Sequence, residues 1–354
     1  MQAVSTLPIP HQPRFPDTRY MGSKKNLLNF IWETVKPLGA HSVLDAFSGS
    51  SCVAQMFKTH ELKVTTNDHL EYAYHLARAT VANSAGKLTE AEVEMLLAHN
   101  RYRKRFIERT FRGIYFSDDE NKFLDNISAN IQQLKSPIKR SLAIAAICRA
   151  CVKRRPRGIF TYVGLDKYDD GRQDLRMHLR DHFRRAISEL HHAVFDNGHI
   201  CRSYNTDVFT LPKQARSVDL VYMDPPYVTP HSDNDYLRRY HFVEGLCSYW
   251  KRPETEVLYH TKTKKLRRYP TPFASKVTIR NAFERLFEQF PKSKLVVSYS
   301  SNCYPNKDDL TAILKNHRRA VSVESFAHRY SFGTYNHKVG NSSNLVDEYL
   351  FIAD

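Results

Sequence analysis

The sequence predicts an α/β fold, a doubly wound and mostly parallel sheet broken once by a long, mostly helical insertion. Three observations predict it. Residues 42–54 (S-V-L-D-A-F-S-G-S-S-C-V-A) read as an apolar strand, a loop of small residues and a helix, the arrangement with which doubly wound sheets bind nucleosides. Residues 62–66 and 218–223 are further short strand-like runs, each followed by an acid, Asp68 and Asp224. Residues 85–195 lose this alternation and keep helical spacing instead, with Phe123, Leu124, Ile127, Ile131 and Leu134 on one face.

Composition bounds the function. A chain of 354 residues with 42% hydrophobic content is long enough for one large α/β domain plus an insertion. No apolar run approaches the ~20 residues of a membrane helix, and the first residues, M-Q-A-V-S-T-L-P-I-P, lack a basic start and apolar core, so a cytoplasmic protein is expected. The formal charge of +16, with a pI of about 9.5, favours a polyanionic partner, nucleic acid before membrane. Of six cysteines only Cys148 and Cys151 form a C-x-x-C, inside an apolar helical stretch and without a second ligand pair, so core cysteines and no metal are expected.

In chain order, the proline-rich residues 1–14 read as a flexible arm. In residues 18–31, Gly22 and Ser23 make a turn before an amphipathic helix carrying Leu27, Leu28 and Ile31, and Lys24 at the helix start can meet a carboxylate. Phe47, Gly49 and Ser51 stand in the loop after the first strand. Asp68, about twenty residues beyond Gly49, suits two ribose hydroxyls or, equally in type, the cap of the next helix. Thr89-x-x-Glu92 and Ser117-x-x-Glu120 are capping boxes. The run K-R-R-P-R-G-I-F-T-Y-V-G at 153–164 brings Lys153, Arg154, Arg155 and Arg157 to a short aromatic strand with Tyr162. Basic residues interleaved with aromatics suit phosphate contact and base reading, although such runs are also common on plain solvated surfaces. Asp207 ends a strand-like run at 199–208, as a base acceptor or a turn former.

Residues 218–230 (V-D-L-V-Y-M-D-P-P-Y-V-T-P) form the centre of the reading. Two prolines end the ladder and fix φ, so the chain leaves the sheet in one stiff geometry. Asp224, the Pro225 carbonyl and the Tyr227 ring are thereby held, with Pro226, at a strand's carboxyl edge, where open α/β sheets bind ligands. Two acceptors beside a flat ring match an exocyclic amino group on a base. Further on, eight Lys/Arg (Lys251, Arg252, Lys262, Lys264, Lys265, Arg267, Arg268, Lys276) outnumber two acids, Glu254 and Glu256, in a glycine-free stretch expected to be a mobile clamp on a nucleic-acid backbone. A helix with Ile279, Phe283, Leu286, Phe287 and Phe290 on one face, a strand at 294–300 and a terminal strand at 345–353 complete the pattern.

D-P-P-Y at 224–227 resembles the catalytic motif of the Dam-like, D12-class N6-adenine DNA methyltransferases. Further matches follow in that family's order: R-Y-M-G-S-K at 19–24, F-S-G-S-S at 47–51 (with Ser51 where the family has a second glycine), Asp68, Asp207, Y-H-F-V-E-G-L at 240–246 and S-Y-S at 298–300. The resemblance implies a Rossmann-like S-adenosylmethionine-dependent methyltransferase sheet formed by residues 15–84 and 196–354. Residues 85–195 then become the target-recognition domain by position. It implies S-adenosyl-L-methionine as cofactor, with Tyr20 and Lys24 at its methionine part, Asp45, Phe47 and Gly49 in the loop around it, Asp68 at its ribose, Asp207 at its adenine and Asp224 at the transfer point. Double-stranded DNA would be the substrate, gripped by Lys153, Arg154, Arg155, Arg157, Tyr162, Lys264, Lys265, Arg267 and Arg268, with room for a cognate restriction endonuclease as partner. His241 and Glu244 are expected to be structural. Methylation of cytosine N4 is an alternative, since that amine poses the same geometric problem. An RNA methyltransferase is disfavoured by the size of the insertion, and Ser51 is the one feature that favours an inactive DNA-binding relative.

Overall fold

The computed structural model describes residues 15–16, 18–156, 158–161, 171–228, 235–269, 271–329 and 345–354; the expected arm at 1–14 lies outside them. In chain order the elements are α1 (Leu28–Val35), β1 (Ser42–Asp45), α2 (Cys52–Thr59), β2 (Lys63–Asn67) and α3 (Glu71–Thr80). The helices α4 (Glu90–Leu97), α5 (Phe106–Thr110), α6 (Asp118–Ile131), α7 (Pro137–Arg154) and α8 (Leu179–Ala193) follow. After them come β3 (Arg202–Tyr204), α9 (Lys213–Arg216), β4 (Leu220–Met223), α10 (Tyr236–Ser248), α11 (Ile279–Glu288), β5 (Lys294–Ser300), α12 (Lys307–Lys315), β6 (Val321–Arg329) and β7 (Leu345–Ala353).

The strands form one sheet in the order β3-β2-β1-β4-β5-β7-β6. β1 to β5 are mutually parallel, and β7 runs antiparallel between β5 and β6. The alternation of side chains along a strand explains why the apolar runs are continuous. Leu44, Val221, Met223, Leu295 and Val297 face α11 and α12, while Val43, Val64, Leu220, Tyr222 and Val296 face α1 and α2. Strand order reverses between β1 and β4, whose residues 43–45 pair with 220–222. Asp45 and Asp224 therefore meet at the crevice where such sheets bind ligands.

Helices α4 to α8 do not form a separate core. Their apolar faces share one cluster with Tyr72, Leu76 and Ala79 of α3 and with Tyr240, Phe242 and Val243 of α10. Both expected capping boxes are present, Thr89 with Glu92 and Ser117 with Glu120. The expected aromatic strand after the basic run is not one over 158–161. Phe160 is instead buried, its N–H donating to Arg239 O at 2.9 Å and its carbonyl accepting from the Tyr115 hydroxyl at 2.8 Å.

α10 also fixes the start of α3. Glu244, 4% exposed, accepts from the backbone N–H of Glu71 at 2.8 Å and of Tyr72 at 3.1 Å, satisfying two of the donors that a helix start leaves open. His241 sits one turn earlier, its Nε2 2.9 Å from both the Tyr115 hydroxyl and Phe160 O, and burial pushes it down to about 4. Both residues hold the scaffold, as expected of them.

The loop before α2 carries a local strain. Ser51 precedes the helix at φ +63°, a left-handed conformation that costs a residue with Cβ roughly 1–2 kcal/mol and glycine nothing. Its side chain is fully buried and its hydroxyl has no hydrogen-bond partner. The missing second glycine thus occupies a glycine conformation.

Ser51→Gly is expected to raise stability by up to ~1 kcal/mol, the steric relief exceeding glycine's greater unfolded-state entropy; an unchanged urea midpoint would contradict the strain. Burial pushes the Glu244 carboxyl from 4.5 up to about 7. A raised acid adds stability below its unfolded value and loses it as pH rises through the folded one. The wild type should therefore lose stability relative to Glu244→Gln between pH 4.5 and about 7, with a constant difference above. Parallel urea titrations across that window measure this directly.

Candidate active site

The crevice at the β1–β4 edge opens into a cavity of about 690 Å³. All eight residues expected to hold the cofactor (Tyr20, Lys24, Asp45, Phe47, Gly49, Asp68, Asp207, Asp224) line it. They come from five separate segments, and the sheet edge is what brings them together.

The glycine loop is tied down on the β2 side. Ser48 N–H donates to Asn67 O at 2.9 Å, and Gly49 N–H donates to Asp68 Oδ2 at 2.8 Å. Asp68 Oδ1 accepts from Leu70 N–H at 2.8 Å, a turn two residues long that leads into α3. Leu70, not Asp68, is the cap residue. Burial pushes the Asp68 carboxyl up to about 6. Gly49 has φ +45°, and a Cβ there would stand 3.0 Å from the Tyr20 ring, so the ring packs closely against the loop backbone. Tyr20 itself is stacked on Tyr240, with ring centroids 5.1 Å apart.

The D-P-P-Y corner is a compact charge cluster. Lys24 Nζ lies 2.9 Å from Asp224 Oδ1 and 2.8 Å from Oδ2, and also donates to the Tyr227 hydroxyl at 2.9 Å. That hydroxyl stands 2.8 Å from Asp224 Oδ1 and 2.9 Å from Oε1 of Glu348. Burial raises the Asp224 carboxyl and the Lys24 charge opposes that rise. Burial, with the Asp224 and Asp68 charges behind it, raises Asp45 well above the usual carboxylate range. The Lys24 ammonium is thus committed to the Asp224 carboxylate while still bordering the cavity, whereas the resemblance placed it at the methionine part of the cofactor. The edge of the Tyr227 ring system meets Tyr299, with centroids 4.8 Å apart.

At the other end, the walls are aromatic. Phe273 stacks on Phe209 with centroids 5.8 Å apart and meets Phe47 edge-on, and the Arg285 guanidinium lies 4.3 Å from the Phe209 ring centre. Asp207 Oδ1 accepts from Phe209 N–H at 2.9 Å, the turn-forming role, while its side chain still borders the cavity. Phe209, Phe273 and Arg285 were not singled out by the sequence reading for this site. Phe273 lies within the basic stretch, whose charge conceals it.

The nucleic-acid candidates divide. Arg154 and Arg155 are corrected by the structure. Arg154 donates from Nε to Glu120 Oε1 at 3.0 Å and also bonds Leu175 O. Arg155, only 1% exposed, donates to Tyr115 O at 3.2 Å and packs over the Tyr115 ring. Both guanidiniums are engaged inside the helical layer, with Arg155 buried and the Arg154 side chain 17% exposed. Lys153 stays half-buried at the end of α7; Arg157 and Tyr162 lie outside the described residues. The basic stretch beyond α10 is anchored rather than free. Val257 bridges Leu266, Leu266 is fully buried, and Thr263 O accepts from the Tyr115 hydroxyl at 2.7 Å. Lys264 turns its ammonium to Tyr259 O, Lys265 is half-buried, and Arg267 and Arg268 are exposed, Arg268 at the cavity rim.

Glu348 was not anticipated. It is buried on β7 in phase with Val346 and Leu350, and an acid on the buried phase of a strand was the available signal. No group of His, Cys, Asp and Glu that could hold a metal, and no helix long and apolar enough to cross a membrane, occurs among the described residues.

Residues 20–313 match the family model of the D12 class N6 adenine-specific DNA methyltransferases. The chain is 28% identical to the type II methyltransferase M2.HphI of Haemophilus parahaemolyticus, over 90% of this chain and 94% of that protein. It is 25% identical to the type II methyltransferase M.FokI of Planomicrobium okeanokoites over 94% of this chain, but spans only 52% of that longer protein. It is 22% identical to M.CviAII of Paramecium bursaria Chlorella virus 1 over 94% of this chain and 97% of that protein. With the family's motifs gathered around one crevice and the match running through both the sheet and the inserted helices, the chain belongs to the D12 class of N6 adenine-specific DNA methyltransferases.

Proposed function

We propose that the cavity at the β1–β4 edge binds S-adenosyl-L-methionine and an adenine extruded from double-stranded DNA, and that Asp224 with the Pro225 carbonyl receives the adenine amine. The observation that carries this is the convergence of the eight expected residues on one cavity ending at Asp224. The residues suit the cofactor. Asp68 can accept from ribose hydroxyls beside the Gly49 loop, Asp207 from an adenine amino group, and the Phe47, Phe209 and Phe273 rings offer apolar walls for a purine. When bound, S-adenosylmethionine supplies an electrophilic methyl group on a sulfonium.

The chain's own residues do the rest. An adenine amino nitrogen is a poor nucleophile because its lone pair is delocalised into the ring. Two acceptors aimed at its hydrogens favour a pyramidal nitrogen with the lone pair turned toward the methyl group. Fixed positioning contributes up to ~7–11 kcal/mol in favourable cases. Lys24 opposes the rise that burial imposes on Asp224 and so favours the carboxylate, which accepts, over the acid, which donates. The proton lost from the amine leaves through the Asp224 carboxylate. Extrusion costs a few kcal/mol of stacking, and stacking on an aromatic ring such as Tyr227 offsets roughly 1–3 kcal/mol of it.

The helical layer at 85–195 serves target recognition in this reading, with Lys153, Lys264, Lys265, Arg267 and Arg268 on the DNA and Arg154 and Arg155 supporting them from inside. Residues 15–84 and 196–354 carry the transfer chemistry. The similarity to type II modification enzymes supports a cytoplasmic role in protecting DNA from a cognate restriction endonuclease.

Asp224→Ala is expected to cut methyl incorporation by roughly 10²–10⁴-fold, the scale of a positioned proton acceptor, with DNA affinity near that of the wild type. Radiolabelled methyl transfer to DNA and a gel-shift titration measure the two. Turnover near the wild-type rate would sink the assignment.

A further inference from the structure

Glu348 takes no part in the chemistry above, yet it is one of the most buried acids in the protein, 1% exposed, and it faces the reacting corner. It lies on β7 opposite Ser300 of β5. Its Oε1 accepts from Ser298 Oγ at 2.6 Å, receives the Tyr227 hydroxyl at 2.9 Å and stands 3.4 Å from Lys24 Nζ. The same hydroxyl is 2.8 Å from Asp224 Oδ1. A phenol has one proton, so Asp224 and Glu348 share a single donor. They also share Lys24, closer to Asp224. Other titratable groups look on: Asp45, Tyr222 and Tyr236 toward Asp224 and Cys303 toward Glu348.

We propose that Glu348 is a positioning residue for methyl transfer, fixing the orientation and charge of Asp224 through the Tyr227 hydroxyl and the Lys24 ammonium. Competition for one proton and one cation keeps the Asp224 carboxylate from being over-neutralised by its buried partner, so it stays basic enough to receive the amine. Two tethers, Lys24 across both its oxygens and Tyr227 on Oδ1, hold it in one rotation. The nearby negative charge of Glu348 raises the Asp224 carboxyl in the same direction. The proposal rests on Asp224 being the amine's acceptor.

The test uses the full chain with a methylatable DNA and single-turnover rates across pH. Glu348→Gln keeps an acceptor for Ser298 but removes the charge. The acid limb of the rate, where Asp224 becomes protonated, should move to lower pH, and the plateau should fall on the order of 10-fold from lost orientation, with cofactor and DNA affinities unchanged. Glu348→Asp keeps the charge but withdraws it by one methylene, so its acid limb should stay near that of the wild type while its plateau falls. It also covers the case in which the glutamine variant does not fold. An acid limb unmoved in Glu348→Gln, or one that moves equally in Glu348→Asp, overturns the proposal. If Asp224→Ala is inactive and the Glu348 limb does not move, this proposal alone fails; if Asp224→Ala turns over normally, the functional reading fails with it.

Discussion

The site depends on one buried cation. Asp45, Asp68 and Asp224 line the β1–β4 crevice and Glu348 reaches the same lysine from β7, although the chain as a whole carries a formal charge of +16. Isolated carboxylates removed from water cost several kcal/mol each unless paired and hydrogen-bonded. Lys24, 3% exposed, reaches across from the turn before α1 and meets Asp224 and Glu348 together. Asp68 is settled differently, by the N–H groups of Gly49 and Leu70. Burial and two neighbouring acids all raise the Asp45 carboxyl. The crevice therefore holds carboxylates with unlike partners, a buried cation at Asp224 and Glu348 and backbone N–H groups at Asp68.

That arrangement constrains the scaffold. The Lys24 ammonium can meet Asp224 only if the turn at Gly22 lies against the cavity, and a Cβ there would stand 2.9 Å from the Tyr236 hydroxyl of α10. The same helix caps α3 through Glu244 and so fixes the peptide that follows Asp68. α10 links the charged corner to the Asp68 side of the cavity, and its other face belongs to the core shared with α4 to α8. The inserted helices and the transfer site are thus one packed body rather than two modules in loose contact, and the boundaries read from sequence at 84 and 196 divide a continuous apolar cluster.

What was legible in the sequence was whatever local pattern dictates. Strand ends, the glycine loop, both capping boxes and the proline-stiffened exit at 224–227 follow from short-range rules of period, φ and capping, and the residues at those strand ends converge because parallel sheets align their carboxyl edges. Partners distant in sequence were not legible. Arg154 and Arg155 look like a phosphate-binding run until Glu120, Leu175 and Tyr115 arrive from elsewhere to claim them. Glu348 shows in sequence only as an acid on the apolar phase of a terminal strand, and its partners Lys24 and Tyr227 lie more than a hundred residues away. The stretch at 251–276 reads as a free basic loop because one of its anchors, Tyr115, lies more than a hundred residues away in sequence.

Several guanidiniums are engaged within the fold: Arg149 pairs with Glu189, Arg154 with Glu120, and Arg252 with Glu71 and Glu254. Each such pair uses one base and one acid, so the formal excess of +16 stays with cations that no acid offsets. The exposed cations nearest the cavity are a more select group. Arg268, with its side chain 63% exposed, stands at the rim, and Arg267 precedes it. His69 and Tyr269 stack beside them, with centroids 4.3 Å apart. Phosphate contact is long-range and sequence-blind, so it positions a duplex without reading it. On the function proposed here, cations at the rim would set where the backbone lies relative to Asp224. Reading the target sequence then falls to groups farther out on the helical layer, which the shared core holds at a constant distance from the reacting corner.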